Sequence, residues 1–215
     1  MYRAVVFDFD GLILDTETPA FTAWREAFAA YGCPPLTVDE WGAEVGTVGG
    51  LDTAALLQAR ATRPVDLDAM HEVRRQRRDE LMAREVARPG VHEWLDAADA
   101  HGLALAIASS SSPEWVGAHL ARIRLRERFA HVECFGNGNA AKPAPDLYPA
   151  ACRALDVAPG DAVAIEDSPH GVTAAKRAGL FCIAVPNAIT AQLDLSHADI
   201  VAPSLSAISL RDVLV

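Results

Sequence analysis

The chain has 215 residues, of which 51% are hydrophobic and 22% charged, a globular balance that excludes long disordered tracts. Its formal net charge of −10 repels phosphate backbones and anionic lipid headgroups. This argues against general nucleic-acid and membrane binding, while a small phosphorylated ligand remains compatible with one local positive cluster. A chain this long buries enough apolar surface for one large domain, or a core with a modest insert, and needs no disulfide or metal to hold it together.

The four cysteines, Cys33, Cys134, Cys152 and Cys182, form no CxxC pair. They read as small buried side chains kept reduced, which points to a cytoplasmic location. Met1-Tyr2-Arg3 leads into a short apolar stretch that ends in acids, unlike a secretory leader, and no apolar run is long enough to span a bilayer.

In chain order, residues 4–7 are a short apolar run that predicts a buried strand. Residues 16–87 are helical in pattern. They include an amphipathic stretch, Phe21, Trp24, Phe28 and Tyr31, and an arginine-rich one, Arg74, Arg75, Arg77 and Arg78. Residues 16–18 and 88–90 read as two hinge passages around this insert. A second strand is predicted at 103–108, and then a helix opened by Ser112-Pro113-Glu114. Residues 132–135 are a weaker strand, and Asp146 is expected to cap a helix running to about Leu155. Strands at 162–165 and 181–185 flank a helix that Ser168-Pro169 starts and Gly179 stops, and 200–202 is a last weak strand. This alternation implies a doubly wound α/β parallel sheet.

Polar residues follow these runs directly. Asp8 and Asp10 follow the first, Ser109 the second, and Glu166 and Asp167 the fourth. In an open parallel sheet, ligands sit beyond the carboxyl ends of the strands, so these side chains are expected on one rim, with Lys142 arriving from the loop after the run at 132–135. Carboxylates gathered this way repel one another unless a cation joins them, and Mg²⁺ suits hard oxygen donors and phosphate. Lys142, the Ser109 hydroxyl and backbone N–H groups near Ser110 and Gly11 can hold phosphate oxygens. One carboxylate is then free to attack phosphorus while another moves protons.

The stretch Asp8-Phe9-Asp10-Gly11-Leu12-Ile13-Leu14-Asp15-Thr16-Glu17 resembles the first motif of the haloacid dehalogenase superfamily, in its phosphatase and β-phosphoglucomutase-like branch. Ser109, Lys142-Pro143-Ala144-Pro145-Asp146, and Glu166-Asp167-Ser168 with Gly171 are similar to its second, third and fourth motifs, in order along nearly the whole chain. The resemblance implies a Rossmann-like core at residues 1–15 and 88–215 and an all-helical cap at 16–87. It implies Asp8 as the nucleophile that forms an aspartyl phosphate, and Asp10 as acid and base, with its carbonyl on Mg²⁺. Ser109, Ser110 and Lys142 would hold the phosphoryl group. Asp167 would ligate the metal together with Asp8, with Glu166 either a direct ligand or just behind one.

Dehalogenases of the superfamily need neither Mg²⁺ nor the second aspartate, so Asp10 and the pair at 166–167 argue against that activity. β-Phosphoglucomutases carry a hinge histidine and a cap arginine. Here residues 16–20 hold no histidine and residues 46–50 no arginine. The expectation is thus a Mg²⁺-dependent phosphatase for a small monoester, of sugar phosphate or phosphoglycolate type, with a phosphomutase and a catalytically silent binding protein as the alternatives. Substrate contacts are expected from Glu17, Trp24, Trp41, the loop 46–50, and Arg75 or Arg78. Ser111 and Ser112 read as turn or cap residues, and Asn187 and Thr190 as loop polar groups. A monomer is the default, a homodimer the alternative.

Overall fold

The computed structural model describes residues 2–42, 45–49, 51–136 and 138–214. Gly50, part of the predicted cap loop, lies outside them. The chain runs β1 (Ala4–Phe7), α1 (Glu17–Ala30), α2 (Val38–Trp41), α3 (Thr53–Arg60), α4 (Leu67–Met82), α5 (Val91–Ala100), β2 (Ala104–Ser109), α6 (Pro113–Arg122) and β3 (His131–Cys134). It continues through α7 (Leu147–Ala154), β4 (Ala162–Glu166), α8 (Pro169–Arg177), β5 (Phe181–Ala184), β6 (Ile200–Val201) and α9 (Leu210–Val213).

All six predicted strands form, and they make one parallel sheet in the order β3-β2-β1-β4-β5-β6. β1 is flanked by β2 and β4, so the winding reverses between β1 and β4. That reversal opens a crevice at their carboxyl ends, immediately before Asp8 and at Glu166.

The two sheet faces are built differently. Val5, Phe7, Leu105, Ile107, Val163, Ile165 and Ile183 point into a bulky layer shared with α5, α6 and α9. Ala4, Val6, Ala106, Ala108, Ala162, Ala164 and Ala184 face the other way, where Tyr148, Cys152, Val172 and Ala175 of α7 and α8 pack. Small sheet residues let these two helices approach closely.

α1 to α4 follow β1 before the chain returns to the sheet layers, and their apolar side chains form a third cluster around Phe21, Trp24, Phe28, Leu57 and Met70. The chain entering this region and the chain leaving it run side by side just before the expected passage at 16–18: Leu14 bridges Ala87, and the Arg88 N–H donates to the Ile13 carbonyl at 2.9 Å. Asp15 holds the start of α1, accepting from the Thr18 N–H at 3.0 Å and hydroxyl at 2.8 Å. Ser112 and Ser168 cap α6 and α8 as expected. Asp146 does not cap α7: it stands at the N-cap position in helical geometry, and its side chain accepts no capping bond. A cap needs an extended backbone there to swing its oxygen over the first turn. All four cysteines are free and buried. Among the described residues, no helix is long and apolar enough to cross a membrane.

Ile107→Ala in the bulky layer should cost about 2–5 kcal/mol in urea unfolding, through lost burial and a cavity. Val73→Ala on the exposed side of α4, where the side chain is 68% accessible, should stay within about 0.5 kcal/mol.

Candidate active site

The rim is set by backbone register. The Asp8 N–H donates to the Ile165 carbonyl at 2.9 Å, which continues the β1–β4 pairing one residue past the strand. The carboxylates of Asp8, Glu166 and Asp167 are thereby brought together, one oxygen of each lying within 4.8 Å of the others, and all three are buried. Lys142 reaches the same point from the loop before α7 and is itself buried. Its Nζ donates to Asp8 Oδ1 at 2.5 Å and to Glu166 Oε1 at 2.6 Å. The Tyr148 hydroxyl donates to Glu166 Oε1 as well, and the Asp167 N–H donates to Oε2 at 3.2 Å. Gly171 of α8 lies against this carboxylate so closely that a Cβ would collide with both oxygens.

The electrostatics follow from burial. Burial alone pushes the Lys142 ammonium down, but Asp8 and Glu166 together push it well up, so it stays charged. Burial drives Asp8 upward, with Lys142 opposing and Glu166 and Asp10 adding to the rise. Asp167 rises for the same first reason, reinforced by Asp8 and Glu166. The Lys142 ammonium thus bonds two of these three carboxylates, the Arg88 guanidinium acts on the third from farther off, and among the described residues Asp167 Oδ1 is buried with no hydrogen-bond donor. Hard oxygen donors in negative excess, one of them unpartnered, fit a small divalent cation such as Mg²⁺.

Asp10 is held apart from this cluster. Its carboxylate accepts from the Ser111 hydroxyl at 2.7 Å, the Ser109 hydroxyl at 3.3 Å and the Trp115 indole N–H at 2.8 Å. The Ser109 oxygen in turn accepts from the Ser111 N–H at 3.0 Å. The Ser110 hydroxyl accepts from the Lys142 N–H and donates to the Gly46 carbonyl, both at 3.2 Å. Thr47 donates to the Lys142 carbonyl at 2.6 Å, so the loop from the helical segment touches the lysine loop directly.

A cavity of about 420 Å³ opens over Asp8 and Asp10. Its wall includes Glu17, Trp41, Gly46, Thr47, Arg78, Ser110, Ser111, Trp115 and Phe135. Glu17 accepts from the Trp41 indole N–H at 3.1 Å. The Arg78 guanidinium lies 5.0 Å from the centre of the Trp115 ring.

The structure therefore brings together Asp8, Lys142, Glu166 and Asp167, with Ser109, Ser110 and Asp10 beside them and Glu17, Trp41 and Arg78 around the opening. It corrects several expectations. Arg75 does not reach the cavity; it points to solvent and pairs with Glu72 on its own helix. Trp24 belongs to the apolar cluster of the helical segment, with Arg74 stacked on it at 4.7 Å. Ser111 is a partner of Asp10 rather than only a turn residue. Asn187 and Thr190 do lie in the segment after β5, as expected, but both are buried, and the Asn187 amide donates to Asp167 Oδ2 at 2.7 Å.

Tyr148 and Trp115 went unnoticed in the sequence, and Arg88 was read there only as part of the passage at 88–90. Arg88 donates to the carbonyls of Gly11, Val185 and Pro186, stapling the loop after β1 to the loop after β5. Only Tyr148 left a sequence signal: a phenol on an apolar, alanine-rich helix face needs a buried partner.

The family model described as haloacid dehalogenase-like hydrolase matches residues 2–179. The protein YhcW of Bacillus subtilis is 40% identical, over 90% of this chain and 87% of its own. The phosphorylated carbohydrates phosphatase of Thermotoga maritima is 32% identical, over 83% and 82% respectively. Crystal structures of CbbY from Rhodobacter sphaeroides, one with phosphate and one of a variant with xylulose-(1,5)bisphosphate, superpose with a TM-score of 0.74 at 32% identity, covering 96% of both chains. The chain belongs to the haloacid dehalogenase-like hydrolases, among that family's phosphatases.

Proposed function

We propose that the protein is a Mg²⁺-dependent phosphatase that hydrolyses a small phosphate monoester through an aspartyl phosphate on Asp8. One observation carries this reading: Asp8 and Asp167 share a buried rim with an ammonium, Lys142, that is held between Asp8 and Glu166. Asp8 attacks phosphorus, and the bond from phosphorus to the ester oxygen breaks. Asp10 gives its proton to the departing oxygen. It then takes a proton from water, whose oxygen attacks the phosphorus, freeing Asp8 and inorganic phosphate.

Lys142, the Ser109 hydroxyl and the backbone at Ser110 hold the phosphoryl oxygens. Glu166 keeps Lys142 charged and in place. Asp8, Asp167 and the Asp10 carbonyl would hold Mg²⁺, with Glu166 behind them. When bound, the ion offsets the repulsion between carboxylate and phosphate dianion.

Asp10 faces Ser109, Ser111 and Trp115, so in this reading its carboxylate exchanges those partners for the ester oxygen when substrate enters. Residues 16–87 act as a helical cap on the core at 1–15 and 88–215, and they choose the substrate through Glu17, Trp41, Thr47 and Arg78. The contact of Thr47 with the Lys142 carbonyl supports closure at that edge. The Thermotoga relative, a phosphatase of phosphorylated carbohydrates, and the xylulose-(1,5)bisphosphate bound to the Rhodobacter one favour a sugar phosphate as substrate. The missing hinge histidine at 16–20 and cap arginine at 46–50 favour water over a second sugar phosphate as acceptor. The protein is taken as a cytoplasmic monomer.

With p-nitrophenyl phosphate and then a panel of phosphorylated metabolites, turnover should require Mg²⁺, stop in EDTA and return when Mg²⁺ is restored. Asp8→Asn should lower kcat roughly 10³-fold or more while remaining folded. Persistent turnover in that variant would sink the nucleophile assignment. Activity that depends on added glucose 1,6-bisphosphate would point to the phosphomutase instead, and no turnover on any ester to a binding protein.

A pH dependence follows from the raised Asp8 and Asp167. Without cation, both take up protons more readily folded than unfolded. The stability linked to them is therefore fully present below the ordinary carboxylate range of about 4 and is lost as pH rises through the higher folded values. The increase in Tm on adding Mg²⁺, which isolates these two groups from the other carboxylates, should therefore grow from acid toward neutral pH. A Mg²⁺ effect that is flat with pH would contradict this.

A further inference from the structure

Asn187 lies in the loop that leaves β5, where every atom of its side-chain amide has a defined partner. Its Oδ1 accepts from the N–H groups of Ile189 at 2.8 Å and Thr190 at 3.0 Å. Two donors at that end require the oxygen there, so the NH₂ group must point the other way. It donates to Asp167 Oδ2 at 2.7 Å and, more weakly, to the Gly11 carbonyl at 3.4 Å. The Asn187 N–H is also fixed, donating to Thr190 Oγ1 at 2.9 Å. Arg88 secures the same loop by its bonds to the carbonyls of Gly11, Val185 and Pro186. Gly11 has φ +77° and no Cβ, and a side chain there would collide with Asp167 and Asn187.

The two oxygens of Asp167 are therefore not equivalent. Oδ2 is tied to a rigid amide, and among the described residues Oδ1 is buried with no donor. We infer that Asn187 is a positioning residue: by holding Oδ2 it fixes the Asp167 carboxylate with Oδ1 free for a divalent cation, and so sets the affinity for Mg²⁺. The inference rests on the reading of the acidic rim as a cation site. An amide suits this task because it is neutral. A lysine or arginine there would steady the carboxylate but would add a positive charge competing with the ion. With the amide, the carboxylate is ordered when the chain folds, so the ordering does not weaken binding.

The test is calorimetric titration of the full chain, stripped with EDTA, with Mg²⁺ alone, alongside thermal melts. Asn187→Ala should raise the Mg²⁺ Kd about 10–100-fold, the range seen when partners behind metal ligands are removed. Asn187→Ser, whose hydroxyl still accepts from the turn N–H groups, should show the same loss if the alanine variant fails to fold. Thr190→Val removes the acceptor of the Asn187 N–H and loosens the same turn without touching Asp167. It should lower Tm yet leave the Mg²⁺ Kd within about twofold, a margin of about 0.4 kcal/mol by the tenfold-per-1.4 conversion. A Kd within that margin for the Asn187 variants overturns the inference. So does a Thr190→Val shift as large as theirs. If the parent chain takes up no Mg²⁺, the cation reading itself fails and the inference falls with it.

Discussion

The rim depends on a single ammonium group placed among buried carboxylates. Lys142 bonds to Asp8 and Glu166 at once, and its Nζ lies over the Tyr148 ring, 5.2 Å from the ring centre. Removing one partner from such a buried pair leaves an uncompensated charge and typically costs about 3–5 kcal/mol, so the arrangement constrains the fold as much as the chemistry. Glu166 is fully committed: Lys142 and Tyr148 bond to one oxygen, the Asp167 N–H to the other, and Gly171 closes the remaining side. Asp8 is the member of the pair that borders the cavity, which is where a reacting carboxylate must be.

The sheet supplies the rigidity this placement needs. β1 and β4 are inner strands bonded on both sides, with apolar layers above and below, so Asp8, Glu166 and Asp167 leave from well-fixed backbone. The alanine-rich face lets α7 and α8 sit close. Tyr148 and Gly171, one from each helix, thereby reach the same carboxylate from two directions. A bulkier face would hold both helices back and leave Glu166 without these neighbours.

Beside the apolar contacts made by Met82 and Ile189, residues 16–87 meet the sheet layers at the site through polar contacts. Thr47 bonds the Lys142 carbonyl, Gly46 accepts from Ser110, and Arg78 lies over Trp115, whose indole N–H bonds Asp10. Such contacts exchange more readily with water or ligand than a packed apolar seam does, which suits a surface that must admit substrate.

The six strands and the motif residues at their ends were legible in the amino-acid order. A strand buried on both faces must be a continuous apolar run, and in a parallel sheet all the carboxyl ends share one rim. Asp8, Ser109, Glu166 and Asp167 could therefore be placed together before any contact was known, and Lys142 could be assigned to the adjoining loop. The helical character of 16–87 was legible from its 3–4 spacing. What only the tertiary structure decided were the choices between chemically similar residues. Arg75 and Arg78 stand one turn apart on α4, and it is the docking of that helix that sends Arg78 to the cavity and leaves Arg75 in solvent. Asn187, Trp115 and Arg88 carry no local signature, because each acts through a partner distant in the chain: Asp167, Asp10 and the Gly11 carbonyl. Local order fixes what a strand end offers, but long-range packing decides which neighbour holds it in place.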